Sequence, residues 1–116
     1  MCRLTHQKRL NIRALARNRH PSVIVALKGI SLDAKEHMSV RKEAIAALGS
    51  FGRLAIEPLT EVILTTKDNN KKMSKCAFSL LHALNQSEQS NKWDAETRLK
   101  LNAAVWACAG LIEGLV

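Results

Sequence analysis

Two prolines, Pro21 and Pro58, stand 37 residues apart, and each opens an apolar helical stretch followed by a polar segment and a second such stretch. This spacing constrains the fold more than any other property of the chain. A helical pair with one apolar face cannot bury that face alone, so consecutive pairs must stack. The two units, residues 21–52 and 54–85, have similar length and layout. Proline suits the first turn of a helix, where its missing N–H has no intrahelical partner in any case. Alanine and leucine dominate, aromatic residues make up 3% and tyrosine is absent, so the β-branched and aromatic alternation of a sandwich or barrel is missing. The pattern is all-α, and 116 residues are enough for one independent core, a single domain over residues 1–116.

Residues 3–18 predict a first helix. At 100° per residue Leu4, Ile12 and Leu15 fall within about 80° of one another, with Arg3, Arg9, Arg13 and Arg17 on the opposite side. Asn18, Arg19 and His20 break the pattern, and Pro21 opens a second helix to about Leu32, with Gly29 as a point of early termination. Ser39 is placed to cap a third, in which Val40, Ala44, Ala47, Leu48 and Phe51 share one face. Gly49 and Gly52, near its end, suit close helix contact and a left-handed residue. A fourth helix begins near Leu54, with Leu59, Val62 and Ile63 inward; after a polar loop over residues 67–72 a fifth packs through Met73, Cys76, Ala77, Leu80, Leu81 and Leu84. Residues 85–92 offer nothing to bury and read as a flexible loop. The last helix starts at Trp93 or Asp94 and runs to Glu113, with Leu101, Ala104, Val105, Cys108 and Ile112 as its core stripe. The apolar end over residues 111–116 predicts burial by the domain or by a partner, and with it self-association as a homo-oligomer. Residues 106–112 align with residues 45–51 as a partial third copy.

The segment Ser39-Val40-Arg41-Lys42-Glu43-Ala44-Ile45-Ala46-Ala47-Leu48-Gly49-Ser50-Phe51-Gly52, followed by Ala55-Ile56-Glu57-Pro58-Leu59, resembles the HEAT-like repeat of phycobilin lyases and related α-solenoids. In that family the Val-Arg-x-x-Ala-x-x-Ala-Leu-Gly segment is the second helix of a repeat, and Ala-x-x-Pro-Leu opens the next. The resemblance implies a short, right-handed α-solenoid of HEAT-like pairs with about six helices. The fifth helix departs from the pattern, lacking a Val-Arg pair and ending in Asn85 where the third has Gly49. Lyase activity requires a chromophore-handling site, for which the resemblance transfers no residue.

Charge is distributed unevenly. Residues 1–28 carry Arg3, Lys8, Arg9, Arg13, Arg17, Arg19 and Lys28 without an acid, and most of the net charge of +8 is therefore local. Such a field attracts polyanions, which makes Arg3, Arg9, Arg13, Arg17 and Arg19 a candidate contact surface for a nucleic-acid backbone or an acidic protein. No aromatic residue lies in that helix to stack on bases. Trp93 and Trp106 are candidate partner anchors, Trp106 at the boundary between seam and surface, although both also fit a core. His6, His20, His37 and His82 lack metal-ligand spacing, and a Cys76 and His82 pair falls on opposed sides of one helix. Glu57 and Glu61 read as exposed helix acids, and the glycines form no phosphate loop. No catalytic, metal or cofactor site is predicted.

Three cysteines without a CxxC pair favour a reducing compartment, with Cys76 and Cys108 as buried thiols. No run of 18 apolar residues occurs, and the N-terminus leads into a basic helix instead of a signal-peptide core, which together predict a cytoplasmic protein, with an organelle transit peptide as the competing reading. The predicted function is a non-enzymatic binding or scaffold module that uses a solenoid face for protein–protein interaction. Two alternatives accompany it: a nucleic-acid-associated module acting through the basic helix, and a phycobilin lyase-like accessory protein.

Overall fold

A computed structural model describes residues 3–111, which form six α-helices and, among the described residues, no strand. The helices are α1 (Arg3–Ala16), α2 (Pro21–Leu32), α3 (Met38–Gly49), α4 (Ile56–Thr66), α5 (Lys71–Gln86) and α6 (Ala95–Leu111). Short 3-10 turns, Gly52–Ala55 and Glu88–Lys92, lead into α4 and α6. No described helix is long and apolar enough to cross a membrane.

The helices form a slab of 44 × 32 × 19 Å. Within it α2 packs on α3 and α4 on α5, as the 37-residue spacing predicts; α1, α3 and α5 lie side by side in one layer, and α2, α4 and α6 in the other. The first helix rests on α3 and touches its chain neighbour α2 only lightly.

Helix α3 sits at the centre of this arrangement. Val40, Ala44, Ile45, Ala47 and Leu48 are all buried, a face of about 160° at 100° per residue. The small side chains of Ala44 and Ala47 let neighbouring backbones come close. Leu59, Val62 and Ile63 of α4 meet Met73, Ala77, Leu81 and Leu84 of α5, and Leu101, Val105 and Cys108 of α6 close the core. Cys76 and Leu80 flank the α5 seam instead of lying at its centre.

Polar groups inside the slab are matched. Arg41, 6% exposed, donates from Nε to the Ser31 carbonyl oxygen at 2.9 Å and so satisfies the C-terminal end of α2. The Ser31 hydroxyl donates to the Leu27 carbonyl at 2.9 Å. Between α4 and α5 the Thr66 and Ser74 hydroxyls are 2.8 Å apart, both buried.

Helix starts follow a rule the sequence reading did not identify. The cap of α3 is His37 and not Ser39: its Nδ1 accepts the Ser39 amide at 3.1 Å. His20 does the same for the Ser22 amide of α2 at 3.1 Å. The two stretches, His20-Pro21-Ser22-Val23 and His37-Met38-Ser39-Val40, are one motif used twice, each time delivering a valine to the core. Asn70 caps α5 by accepting the Met73 amide at 3.3 Å.

Several boundaries and faces differ from expectation. Helix α2 runs through Gly29 to Leu32, since the glycine is exposed and only lowers helix propensity. Residues 85–92 are not a featureless loop: α5 continues to Gln86, and the following turn buries Ser90, whose hydroxyl donates to the Ser87 carbonyl at 2.8 Å. The aligned third copy does not pack as one, because Ile45 is fully buried while its counterpart Trp106 is 74% exposed. Ile112 and the rest of the apolar end lie outside the described residues.

The largest change concerns α1. Ile12 is buried at 2%, but Leu4 is 62% exposed and Leu15 is exposed as well, while Thr5 is buried and Ala16 partly so. The inward face is thus rotated by about 60° towards the arginines. This rotation brings Lys8, Arg9 and Arg13 to glutamates on and just before α3.

Two glycines stand at helix ends, one against a neighbouring helix and one in a left-handed backbone position. A Cβ on Gly49 would stand 3.4 Å from Leu80, and Gly52 has φ +62, a left-handed conformation that side-chain-bearing residues avoid. Leu48→Ala is expected to cost about 2–5 kcal/mol in urea denaturation, because the site is enclosed on every side; a cost below about 0.5 kcal/mol would contradict the burial described. Gly52→Ala should cost about 1 kcal/mol from backbone strain alone.

Candidate functional site

The basic residues near the N-terminus meet acids from the next segment of the chain. Lys8 Nζ lies 3.0 Å from Glu36, and Arg9 Nε and Arg13 reach the same Glu43 oxygen at 3.3 and 3.1 Å. Lys28 of α2 pairs with Glu61 of α4 at 2.6 Å. A large part of the charge that looks unopposed in the sequence therefore faces an intramolecular partner. Arg17 is exposed and its guanidinium has no hydrogen-bond or ion-pair partner among the described residues. Arg3 opens α1, and its side chain lies outside the described set.

Glu43 is the hinge of this arrangement. Burial pushes its carboxyl up, but the hydrogen bonds and charges of Arg13 and Arg9 outweigh burial and hold it below the usual carboxylate range. Glu36 is likewise lowered, first by the His37 amide that it accepts and then by Lys8. Together with Ile12, these contacts hold α1 on α3.

Arg19 has a different task. It donates to the Ser50 carbonyl at 3.1 Å, where α3 ends, and its guanidinium lies 4.9 Å over the Phe51 ring. Beside it opens a notch of about 430 Å³ lined by Arg19, Phe51, Gly52, Arg53 and Trp93. The indole of Trp93 rests against Gly52, at 3.7 Å from where a Cβ would be. Two of the residues singled out in the sequence, Arg19 and Trp93, are thus brought together although 74 positions separate them. Arg53 and Phe51 complete the group, and neither was selected as a site residue; the signal for Arg53 would have been its place beside a left-handed glycine at a helix junction.

Trp106 does not join this group. It projects from the outer face of α6, in line with Leu99 at 69% exposure and with exposed Ala103 and Gly110. The core reading of Trp106 is therefore incorrect, because Leu101, Val105 and Cys108 already supply the buried stripe on the opposite side. From Leu101 to Leu111 the helix carries no charge, and it is apolar on both faces. Trp93 is partly buried and packs on the core edge.

The remaining candidates fit structural roles. Among the described residues no group of three or more His, Cys, Asp or Glu could hold a metal ion. His6 and His82 are exposed, and the His82 ring lies 6.0 Å from that of Phe78. Burial pushes the Cys76 and Cys108 thiols up, which makes them poor nucleophiles. Glu57 pairs with Lys100 across α4 and α6.

A pH dependence follows from Glu43. Its folded pKa lies below the unfolded one, so its contribution to stability is present above the ordinary glutamate pKa of about 4.3 and is lost as pH falls through the folded value. In Glu43→Gln the amides of α1 are expected to exchange faster at pH 7, and the acid-induced loosening of α1 seen in the parent should be blunted; unchanged exchange in α1 would show that the tether contributes nothing.

Comparisons with known proteins return no match, whether to a family model, a curated protein or a solved structure.

Proposed function

We propose that this chain is a non-enzymatic binding and scaffold module, a short α-solenoid of HEAT-like pairs whose uncovered helix faces join one copy to the next. The observation that carries the proposal is the outer face of α6. A helix that is apolar on both sides belongs between two neighbours, yet Leu99, Ala103 and Trp106 face solvent. In the same layer α2 is covered by α3 and α4 by α5. Among the described residues no helix takes the corresponding position on α6.

A second copy supplies a fitting helix. On α1 the exposed Leu4 and Leu15 lie about 90° round the helix from the face packed on α3. Both side chains are therefore free for a contact that α3 does not make. Laying α1 of one copy on α6 of another buries Leu4 and Leu15 against Leu99 and Trp106 and continues the alternation of layers. The contact is heterologous, since two different patches meet.

The basic-helix alternative draws less support from the fold, because Lys8, Arg9 and Arg13 are engaged with Glu36 and Glu43. No observation on the described residues favours the accessory-lyase reading. A cytoplasmic setting remains part of the proposal, consistent with free, buried Cys108 and partly buried Cys76.

Sedimentation velocity over about 1 to 500 µM tests the assembly, whose stability is concentration-dependent. The parent is expected to grow with concentration. Trp106→Asp and the double variant Leu4→Asp with Leu15→Asp should each be monomeric, and an equimolar mixture of the two should form dimers and nothing larger. A parent that stays monomeric over the whole range would sink the proposal.

A further inference from the structure

The notch at the end of α3 has a chemistry that neither the scaffold role nor the α6 face uses. Its described lining carries two guanidinium groups and no acid: Arg19, fixed over Phe51 and on the Ser50 carbonyl, and Arg53, exposed at the 3-10 turn before α4. Trp93 supplies a flat apolar wall. The indole is held in place by its contacts with Gly52 and with the edge of the core. Gly52 contributes by turning the chain through a left-handed residue, which brings the backbone alongside the ring.

Arginine forks match phosphate oxygens, and an indole face stacks on a base irrespective of its identity. Arg19 spends one terminal nitrogen on the Ser50 carbonyl and leaves other N–H groups available. Arg53 acts through space on the Asp94 carboxyl, which is bonded chiefly to Thr97 on α6 and lies outside the notch lining. An adjoining cleft of about 330 Å³ shares Arg53 and adds Lys100, but there Glu57 pairs with the lysine. The acid-free side, between Arg19 and Arg53, is therefore where an anion is best received.

We propose that this notch binds a nucleotide unit, with the base against Trp93 and the phosphate between Arg19 and Arg53. The unit is either a free nucleotide or one residue of a single strand. A stacking group missing from the basic helix is supplied by the fold from the far end of the chain, and the exposed Arg17 adds attraction for a strand that extends beyond the notch. The site does not depend on the assembly proposed above, since Trp106 and Leu99 take no part in it.

Trp106→Phe leaves Trp93 as the only tryptophan, so fluorescence then reports this site alone. At protein concentrations too low for assembly and about 50 mM salt, adenosine 5′-monophosphate up to about 10 mM and a ten-residue deoxyadenosine strand are titrated, with inorganic phosphate as a competitor. Saturable quenching of Trp93, relieved by phosphate, is expected. Adding Arg53→Ala, an exposed change that should leave the circular-dichroism melt unaltered, is expected to weaken binding about tenfold through loss of a charge-assisted bond. Quenching by both probes supports a free nucleotide as ligand, and quenching by the strand alone supports the site with single strands as its source. Absence of saturable quenching by either probe, or equal affinity in Arg53→Ala, overturns the proposal.

Discussion

The covering of α3 on more than one side is the constraint on which the rest of the structure depends. A helix with five apolar residues of twelve buried, over nearly half of its circumference, needs neighbours in both layers, and α1, α2 and α5 provide them. The same demand explains its composition. Ala44 and Ala47 keep the approach close, and Gly49 yields to Leu80 of α5. The one charge drawn inside, on Arg41, is tolerated because the end of α2 offers a carbonyl that lacks an intrahelical donor. A buried guanidinium and an unfinished helix end resolve each other's deficit.

Electrostatics then decides what apolar patterning leaves open. The periodicity of α1 places Leu4, Ile12 and Leu15 on one side, yet only Ile12 is buried. With so few apolar residues at stake, a rotation that brings three cations to Glu36 and Glu43 is the better solution. Such pairs are partly exposed, and each contributes modestly. They work as a set, on one face, against a helix that has little else to hold it.

The fold was legible to the extent that burial controls it. The faces of α3, α4 and α6 follow directly from three- and four-residue spacing, and Gly52 stands at the left-handed position its place after Phe51 implied. Helix starts were less legible, because imidazole is an uncommon cap and Ser39, the conventional choice, stands two residues away from His37. The candidate site was legible only in fragments. Arg19 and Trp93 each stood out alone, but their meeting depends on where α3 ends and where α6 begins, a long-range relation that local periodicity does not encode. Trp106 misled for a different reason: its position off the stripe of Leu101, Val105 and Cys108 was legible, but a tryptophan's apolar bulk argued for a core.

A body 19 Å thick is only two helices deep. Every helix in it keeps one flank in water, and depth cannot rank the helices by protection. Rank comes instead from position along the row, with α3 shielded from both sides and α1 and α6 shielded from one. Local opening is therefore easiest at α1 and α6, where one flank carries the whole attachment, and hardest at α3.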